Sequence, residues 1–342
     1  MKAVMLTSPG ELEVTEVPDA RLENPADAVV RIVAAGICGT DLRAFAGRPG
    51  PVPGPACGHE FVGVVEEIGP EVRTLRRGDL VVAPFMFADG TCHHCVRGVP
   101  TSCRSGGMWA IAAGGAQAEA IRVPFADATL VTVPMDERDE RIPAVLALAD
   151  VMATGHHATA GARALGPSAT VAVLGDGAVG LCAVLAARRA GARRIFLVGR
   201  HESRLHTGKI FGATDLVTTR GDEARAQIME ATDGIGVDLV IDGVGEQDAL
   251  DTASAVCADG GTLSLVGGPH GGLDLMSCFL RNVTVTGGLT PARRYLPELL
   301  GEVVAGRLDP GPVFDRSVTL DAAAEGYLAM ARRQATKVLI EV

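Results

Sequence analysis

The stretch Thr170-Val171-Ala172-Val173-Leu174-Gly175-Asp176-Gly177-Ala178-Val179-Gly180 decides the fold. A short, mostly apolar strand ends in a glycine turn, and an Ala-rich segment with helical spacing follows. In that context the G-x-G-x-x-G spacing has a physical meaning. Gly175 permits the tight turn. Gly177 lets the backbone approach a pyrophosphate at a helix N-terminus, where free N–H groups and the helix dipole favour anions, and Gly180 permits close helix–sheet packing. Gly175, Gly177, Ala178, Val179 and Gly180 are therefore the candidate dinucleotide-binding turn. A fortuitous glycine turn is the competing reading, and the strand and helix on either side count against it.

Downstream, short apolar runs at 170–174, 194–198, 238–241, 262–266 and 283–286 alternate with segments long enough for crossover helices. This is how a parallel sheet covered on both faces is written, so a doubly wound domain is expected. The second run ends in Val198-Gly199-Arg200-His201, where the residue facing the adenosine ribose belongs. An acid there would bond the 2′-hydroxyl and repel a 2′-phosphate. Gly199 stands in its place, with Arg200, His201 and, one helical turn on, Arg204, which favours NADP(H) over NAD(H). The plainer alternative is that Arg200 begins a solvated helix.

Upstream, the chain reads as β-rich. A hairpin of 2–7 and 11–17 folds about Ser8-Pro9-Gly10, and further strands are expected at 29–34, 61–68 and 80–83. Helical periodicity is scarce before about residue 140. After residue 288 come a helix at 292–305, a segment at 313–320, a helix ending near 333 and a strand at 338–342 expected to return to the first domain. The predicted class is α/β, with a β-rich domain over 1–147, a doubly wound domain over 148–288 and the return over 289–342.

Composition narrows the function. The 342 residues exceed what one core usually serves. Hydrophobic residues at 47% and charged ones at 21% exclude a disordered or highly charged coiled-coil chain, and 43 glycines without a triplet period exclude collagen. Lys plus Arg less Asp plus Glu is 31 − 41 = −10, which argues against nucleic acid or an anionic membrane as partner. The first residues lack the apolar core of a secretory signal, and no segment approaches the ~20 apolar residues of a membrane span. A cytoplasmic protein is expected. Three of the eight cysteines crowd into Cys92, Cys95 and Cys103, a pattern that in a reducing compartment marks metal sites more often than disulfides.

Two constellations could hold metal. Gly36-Ile37-Cys38-Gly39-Thr40-Asp41 and Gly58-His59-Glu60 put a thiol, an imidazole and a carboxylate on loops of the β-rich domain. None is specific alone, since a lone His or Cys is usually structural. With Asp150 they could supply a catalytic zinc, which needs about three N, S or O ligands and one open position. Asp89, Cys92, Cys95 and Cys103, at intervals of 3, 3 and 8, could close a structural zinc whose first ligand is a carboxylate. An empty or redox-active CxxC is the alternative, and His93 and His94 could compete as ligands. Phe85, Met86, Phe87, Met108 and Trp109 could line an apolar substrate wall or equally fill the domain's own core.

In order and spacing these pieces resemble the zinc-dependent medium-chain dehydrogenase/reductase family, the alcohol dehydrogenases. The likeness spans essentially the whole chain and includes Leu148-Ala149-Asp150-Val151-Met152-Ala153-Thr154-Gly155 and Thr336-Lys337-Val338. It is greatest to the NADP-dependent secondary alcohol dehydrogenase branch, where the third catalytic ligand is an Asp. The resemblance implies a GroES-like β-rich catalytic domain with a Rossmann domain inserted before its last segment. It implies that Cys38, His59 and Asp150 hold a catalytic zinc, with Glu60 as alternate ligand or supporting carboxylate, and that Thr40 bonds the substrate oxygen. Thr154 would lie near the nicotinamide, the Val266-Gly267 backbone at its carboxamide and Lys337 at a cofactor phosphate. The implied reaction is hydride transfer between a primary or secondary alcohol, or its aldehyde or ketone, and NADP(H), in a homodimer or homotetramer.

Two departures stand out. Where the family's proton relay often ends in a His, three residues after the hydroxyl residue, this chain has Arg43, and a guanidinium has no lone pair to offer as a proton acceptor. The lobe's usual first Cys is Asp89, a harder ligand for zinc. Three other readings were weighed: an NAD-dependent polyol or amino-alcohol dehydrogenase, a zinc-free quinone or enone reductase of the same fold, and a cofactor-binding protein without activity. The missing acid at 199 counts against the first, and the intact ligands against the other two.

Overall fold

Val171, Ala172, Val173 and Leu174 are all buried, as a strand with helices on both faces requires. The computed structural model describes residues 1–48, 55–161, 166, 168–268 and 271–342. They divide into one unit of Met1–Asp150 with Pro291–Val342, and a second of Val151–Thr290.

The second unit is built on six parallel strands in the order Asp215–Val217, Arg194–Val198, Thr170–Leu174, Val237–Asp242, Cys257–Leu265, Thr284–Gly287. In chain sequence that is 3-2-1-4-5-6, the doubly wound Rossmann order, with its switch point between Thr170–Leu174 and Val237–Asp242. Helices Ala178–Arg189, Glu202–Phe211, Gly221–Ala231 and Gln247–Val256 make the crossovers. The three-residue strand Asp215–Val217 escaped the sequence reading because Leu216 is exposed and only Val217 is buried. Cys257–Leu265 begins five residues before the expected start at 262, through the partly exposed Asp259-Gly260 that breaks the apolar run.

The first unit centres on a seven-stranded sheet in which Ala28–Ile37 is the hub. Phe61–Ile68 and Val338–Glu341 flank it antiparallel, and Ala120–Val123 also pairs with it. The chain's last strand thus lies inside the sheet begun near its start. Leu80–Ala83 and Val131–Thr132 extend one side, and Arg316–Thr319 the other. Its core gathers Val30, Ile32, Phe61, Phe87, Trp109 and Tyr327. Among the described residues no helix is long and apolar enough to cross a membrane.

Sheet pairing positions the site. Cys38 directly follows Ala28–Ile37, His59 and Glu60 directly precede Phe61–Ile68, and Ala35 pairs with Phe61. Two loops distant in sequence therefore leave the sheet side by side.

Candidate active site and metal centres

Cys38 caps the helix Gly39–Phe45, and Asp41, in its first turn, accepts the Cys38 backbone N–H through Oδ2 at 2.8 Å. The other oxygen of Asp41 lies 3.3 Å from His59 Nδ1, so one buried carboxylate fixes both the cysteine's turn and the imidazole's orientation. This leaves His59 Nε2 to face 3.5 Å from Asp150 Oδ2 and 3.9 Å from Glu60 Oε1. Cys38 Sγ stands 3.4 Å from Asp150 Oδ2. Ligand atoms of Cys38, His59, Glu60 and Asp150 all lie within 4.8 Å of one another. Sequence reasoning quoted Asp41 without giving it a role; its spacing three residues after the capping cysteine was the available signal.

The donor set fits zinc. Bonds of about 2.0 to 2.3 Å to N, O and S place tetrahedral neighbours about 3.3 to 3.8 Å apart, which the 3.4 and 3.5 Å separations match. Glu60 Oε2 is buried with no hydrogen-bond partner. Burial pushes the Cys38 thiol up, and Asp150 adds to the push. Burial alone would pull the His59 imidazole down, but Asp41 and Asp150 hold it well above its ordinary value. A divalent cation among these groups would reverse the balance, favouring thiolate and neutral imidazole.

Lys337 differs from expectation. Its ammonium lies in the interior of the first unit, 2.8 Å from Glu60 Oε1, 3.3 Å from the Ile37 carbonyl and over the Phe314 ring. Burial opposes its charge, yet Glu60 raises it above the ordinary lysine value. Burial pushes the Glu60 carboxyl up, and Lys337 works against that. A lysine whose donors are turned onto an internal carboxylate serves as that carboxylate's countercharge.

In the lobe, Cys92 caps the short helix His93–Val96, which carries Cys95, and Cys103 follows the turn Pro100–Ser102. Cys92 Sγ lies 3.6 Å from Cys95 Sγ and 3.8 Å from Cys103 Sγ. Those are the edges of a tetrahedron with metal–sulfur bonds of about 2.3 Å. Asp89 joins the three thiols; among the described residues His93 and His94 are not part of the cluster. Backbone N–H groups of Cys92 and Thr91 donate to Asp89 Oδ1 and hold its carboxyl well below the usual range.

In the second unit, Gly175 has φ +105°, and a Cβ on Gly180 would overlap the Gly175 carbonyl oxygen. Gly177 caps Ala178–Arg189, with open space where its side chain would be. Thr154 is buried on the helix Val151–Ala160. The Val266 and Gly267 N–H groups both donate to the Asp242 carbonyl. Asp176, to which the sequence reading gave no role, accepts the Arg200 and His201 N–H groups and meets the His201 ring. Of the aromatic set, Trp109 is fully buried against Phe61 and Phe87 and donates from Nε1 to the Pro84 carbonyl at 2.8 Å. Trp109, Phe85 and Phe87 fill the interior, whereas Met86 and Met108, paired on two short strands, are only half-buried.

Comparison with known proteins agrees with this geometry. Residues 24–135 match the family model described as alcohol dehydrogenase GroES-like domain, and residues 178–305 match that of zinc-binding dehydrogenase. A probable zinc-binding alcohol dehydrogenase of Mycobacterium tuberculosis is 38% identical over 333 residues, 96% of this chain and 84% of the relative. The NADP-dependent isopropanol dehydrogenase of Thermoanaerobacter brockii is 36% identical over 299 residues, 84% of this chain and 83% of the relative. The solved alcohol dehydrogenase from Thermus sp. ATN1 superposes with a TM-score of 0.92 at 33% identity, over the full length of both chains.

Proposed function

The chain belongs to the zinc-binding alcohol dehydrogenases with a GroES-like domain, and from that premise we propose that it interconverts an alcohol and its aldehyde or ketone with NADP(H) as coenzyme. The observation that carries the reading is the convergence of buried Cys38 and His59 with the half-buried Asp150, and buried Glu60 behind them.

Zinc held there would supply Lewis acidity toward the substrate oxygen, and the nicotinamide a two-electron acceptor or donor. The chain's own groups do the rest. Asp41 keeps His59 Nε2 turned toward Asp150, so the ligand set is organised in advance. Thr40, two residues after Cys38 on the same short helix, is assigned to hydrogen-bonding the substrate oxygen and receiving its proton. Arg43, one turn further, cannot take that proton onward, so it leaves through another acceptor. Glu60, whose Oε1 is bonded to Lys337 and also faces His59 Nε2, is assigned the part of reserve ligand.

Asp89, Cys92, Cys95 and Cys103 are assigned a second, structural zinc. Arg200, His201 and Arg204 support NADP(H), as does the likeness to the isopropanol dehydrogenase. Homodimers or homotetramers are supported by Leu275, Met276, Phe279 and Leu280, all largely exposed on one short helix, and by Val285 exposed on the sheet's terminal strand. Eight free cysteines suit a reducing, cytoplasmic setting.

The test is metal content together with NADPH oxidation against a panel of ketones and aldehydes, on the native chain and on Cys38→Ser. About two zinc ions per chain and NADPH-dependent carbonyl reduction are expected. Cys38→Ser should lose about one zinc and at least ~100-fold in turnover while keeping coenzyme affinity. A zinc-free chain that reduces an enone instead would overturn the assignment.

A further inference from the structure

Beside the end of Arg194–Val198, where an acidic side chain would distinguish a free ribose 2′-hydroxyl from its phosphate ester, the chain has Gly199. A carboxylate nevertheless occupies that space. It comes from Asp176, between the first two glycines of the turn. Asp176 Oδ2 accepts the Arg200 and His201 backbone N–H groups, both at 2.8 Å, and lies 2.9 Å from His201 Nδ1. Its Oδ1 is 3.0 Å from the same ring nitrogen and 3.9 Å from Arg204 Nη1. The carboxylate is 7% exposed and Arg204 8%.

The fit is mutually exclusive. A Cβ at 199 would fall 2.5 Å from Asp176 Cβ and 2.6 Å from its Oδ2. An acid at the usual position and an acid at 176 therefore cannot coexist without displacing one another. Gly199, which from sequence alone reads as an opening for a 2′-phosphate, is also the space Asp176 needs. The three side chains credited with favouring that phosphate are not equally available to it. His201 is in contact with Asp176, Arg204 is close to it, and the Arg200 backbone is tied to it.

We propose that Asp176 is the coenzyme-selecting residue, standing in from the glycine turn for the acid absent at 199, binding the His201 ring and offsetting the charge of Arg204. Native preference for the 2′-phosphorylated coenzyme is then smaller than the neighbouring arginines alone would give, and removing the Asp176 charge enlarges it. The inference rests on the dinucleotide-binding reading above and adds the residue that limits its selectivity.

Asp176→Asn is the informative variant, because its side-chain oxygen still accepts the Arg200 and His201 N–H bonds while the charge is gone. Dissociation constants for NADPH and NADH, from nicotinamide fluorescence on the zinc-loaded full chain, give the preference as a ratio. The ratio should move toward NADPH by about tenfold or more. A change under about twofold, or a move toward NADH, overturns the proposal. Should Asp176→Asn fail to fold, Arg204→Gln carries the test: with that countercharge gone, Asp176 should move the ratio toward NADH by about threefold or more, and an unmoved ratio overturns the proposal. Turnover does not enter this readout. A shifted ratio without turnover on any alcohol or ketone would defeat the assigned reaction and leave the selectivity role standing; a native chain that binds neither coenzyme defeats both.

Discussion

Lys337 Nζ and Glu60 Oε1 lie 2.8 Å apart with both side chains essentially out of solvent, joining the last strand to the loop that carries His59. Removing one partner of such a pair strands the other's charge in the interior. Lys337→Met should cost about 3–5 kcal/mol in urea unfolding, and the double variant with Glu60→Gln should recover much of it. Additive losses in the two single variants would show that the pair does not act as a unit.

As the one oxygen donor in the set assigned to the lobe, Asp89 is expected to make its metal the more easily removed. Asp89→Cys should slow zinc loss to a chelator at the 89–103 site, because thiolate is softer than carboxylate. The variant also gives up the Thr91 and Cys92 N–H bonds, so the metal-free form should melt lower than the native apo form. Faster zinc loss from Asp89→Cys would remove Asp89 from the ligand set.

Trp109 was an equal candidate for substrate wall or core. Its position against Phe61 and Phe87 makes Trp109→Ala a cavity variant costing about 3–5 kcal/mol, with KM for small ketones little changed in whatever fraction remains folded. A large KM change at native stability would return Trp109 to the substrate pocket.

Burial pushes the Asp176 carboxyl up, but the bonds from His201 and Arg200 outweigh that and hold it below its ordinary 3.8. A carboxyl depressed in the folded state stabilises above its unfolded value, and that contribution is lost as pH falls through the folded one. The native chain should therefore exceed Asp176→Asn by about 1–2 kcal/mol at pH 7, and the gap should close below pH ~3.8. Paired urea titrations with chelator throughout read this directly; a gap independent of pH would mean the charge contributes nothing to folding.

What the sequence made legible was local. The glycine turn announced itself because its strand, turn and helix are contiguous, and the metal-ligand candidates because Cys38, His59 and the 89–103 cluster sit in short motifs. The doubly wound class followed from the alternation of apolar runs, although Asp215–Val217 did not show in it. Contacts made across the fold left no such trace. Asp176 and His201 stand 25 residues apart and meet only because adjacent parallel strands end together. Glu60 and Lys337, 277 residues apart, meet only once Val338–Glu341 pairs with Ala28–Ile37, so neither motif announced their contact. Trp109 carried no periodicity to say which way it faced.

The place of Val338–Glu341 in the sheet has a consequence for biosynthesis. Its neighbours Ala28–Ile37 and Arg316–Thr319 are made earlier, yet the sheet stays gapped until residue 341 has left the ribosome. The 151–290 unit, contiguous in the chain, can fold while synthesis continues. The unit that carries Cys38, His59 and Asp150 is completed only after the 151–290 unit has been made, when Lys337 arrives to neutralise Glu60.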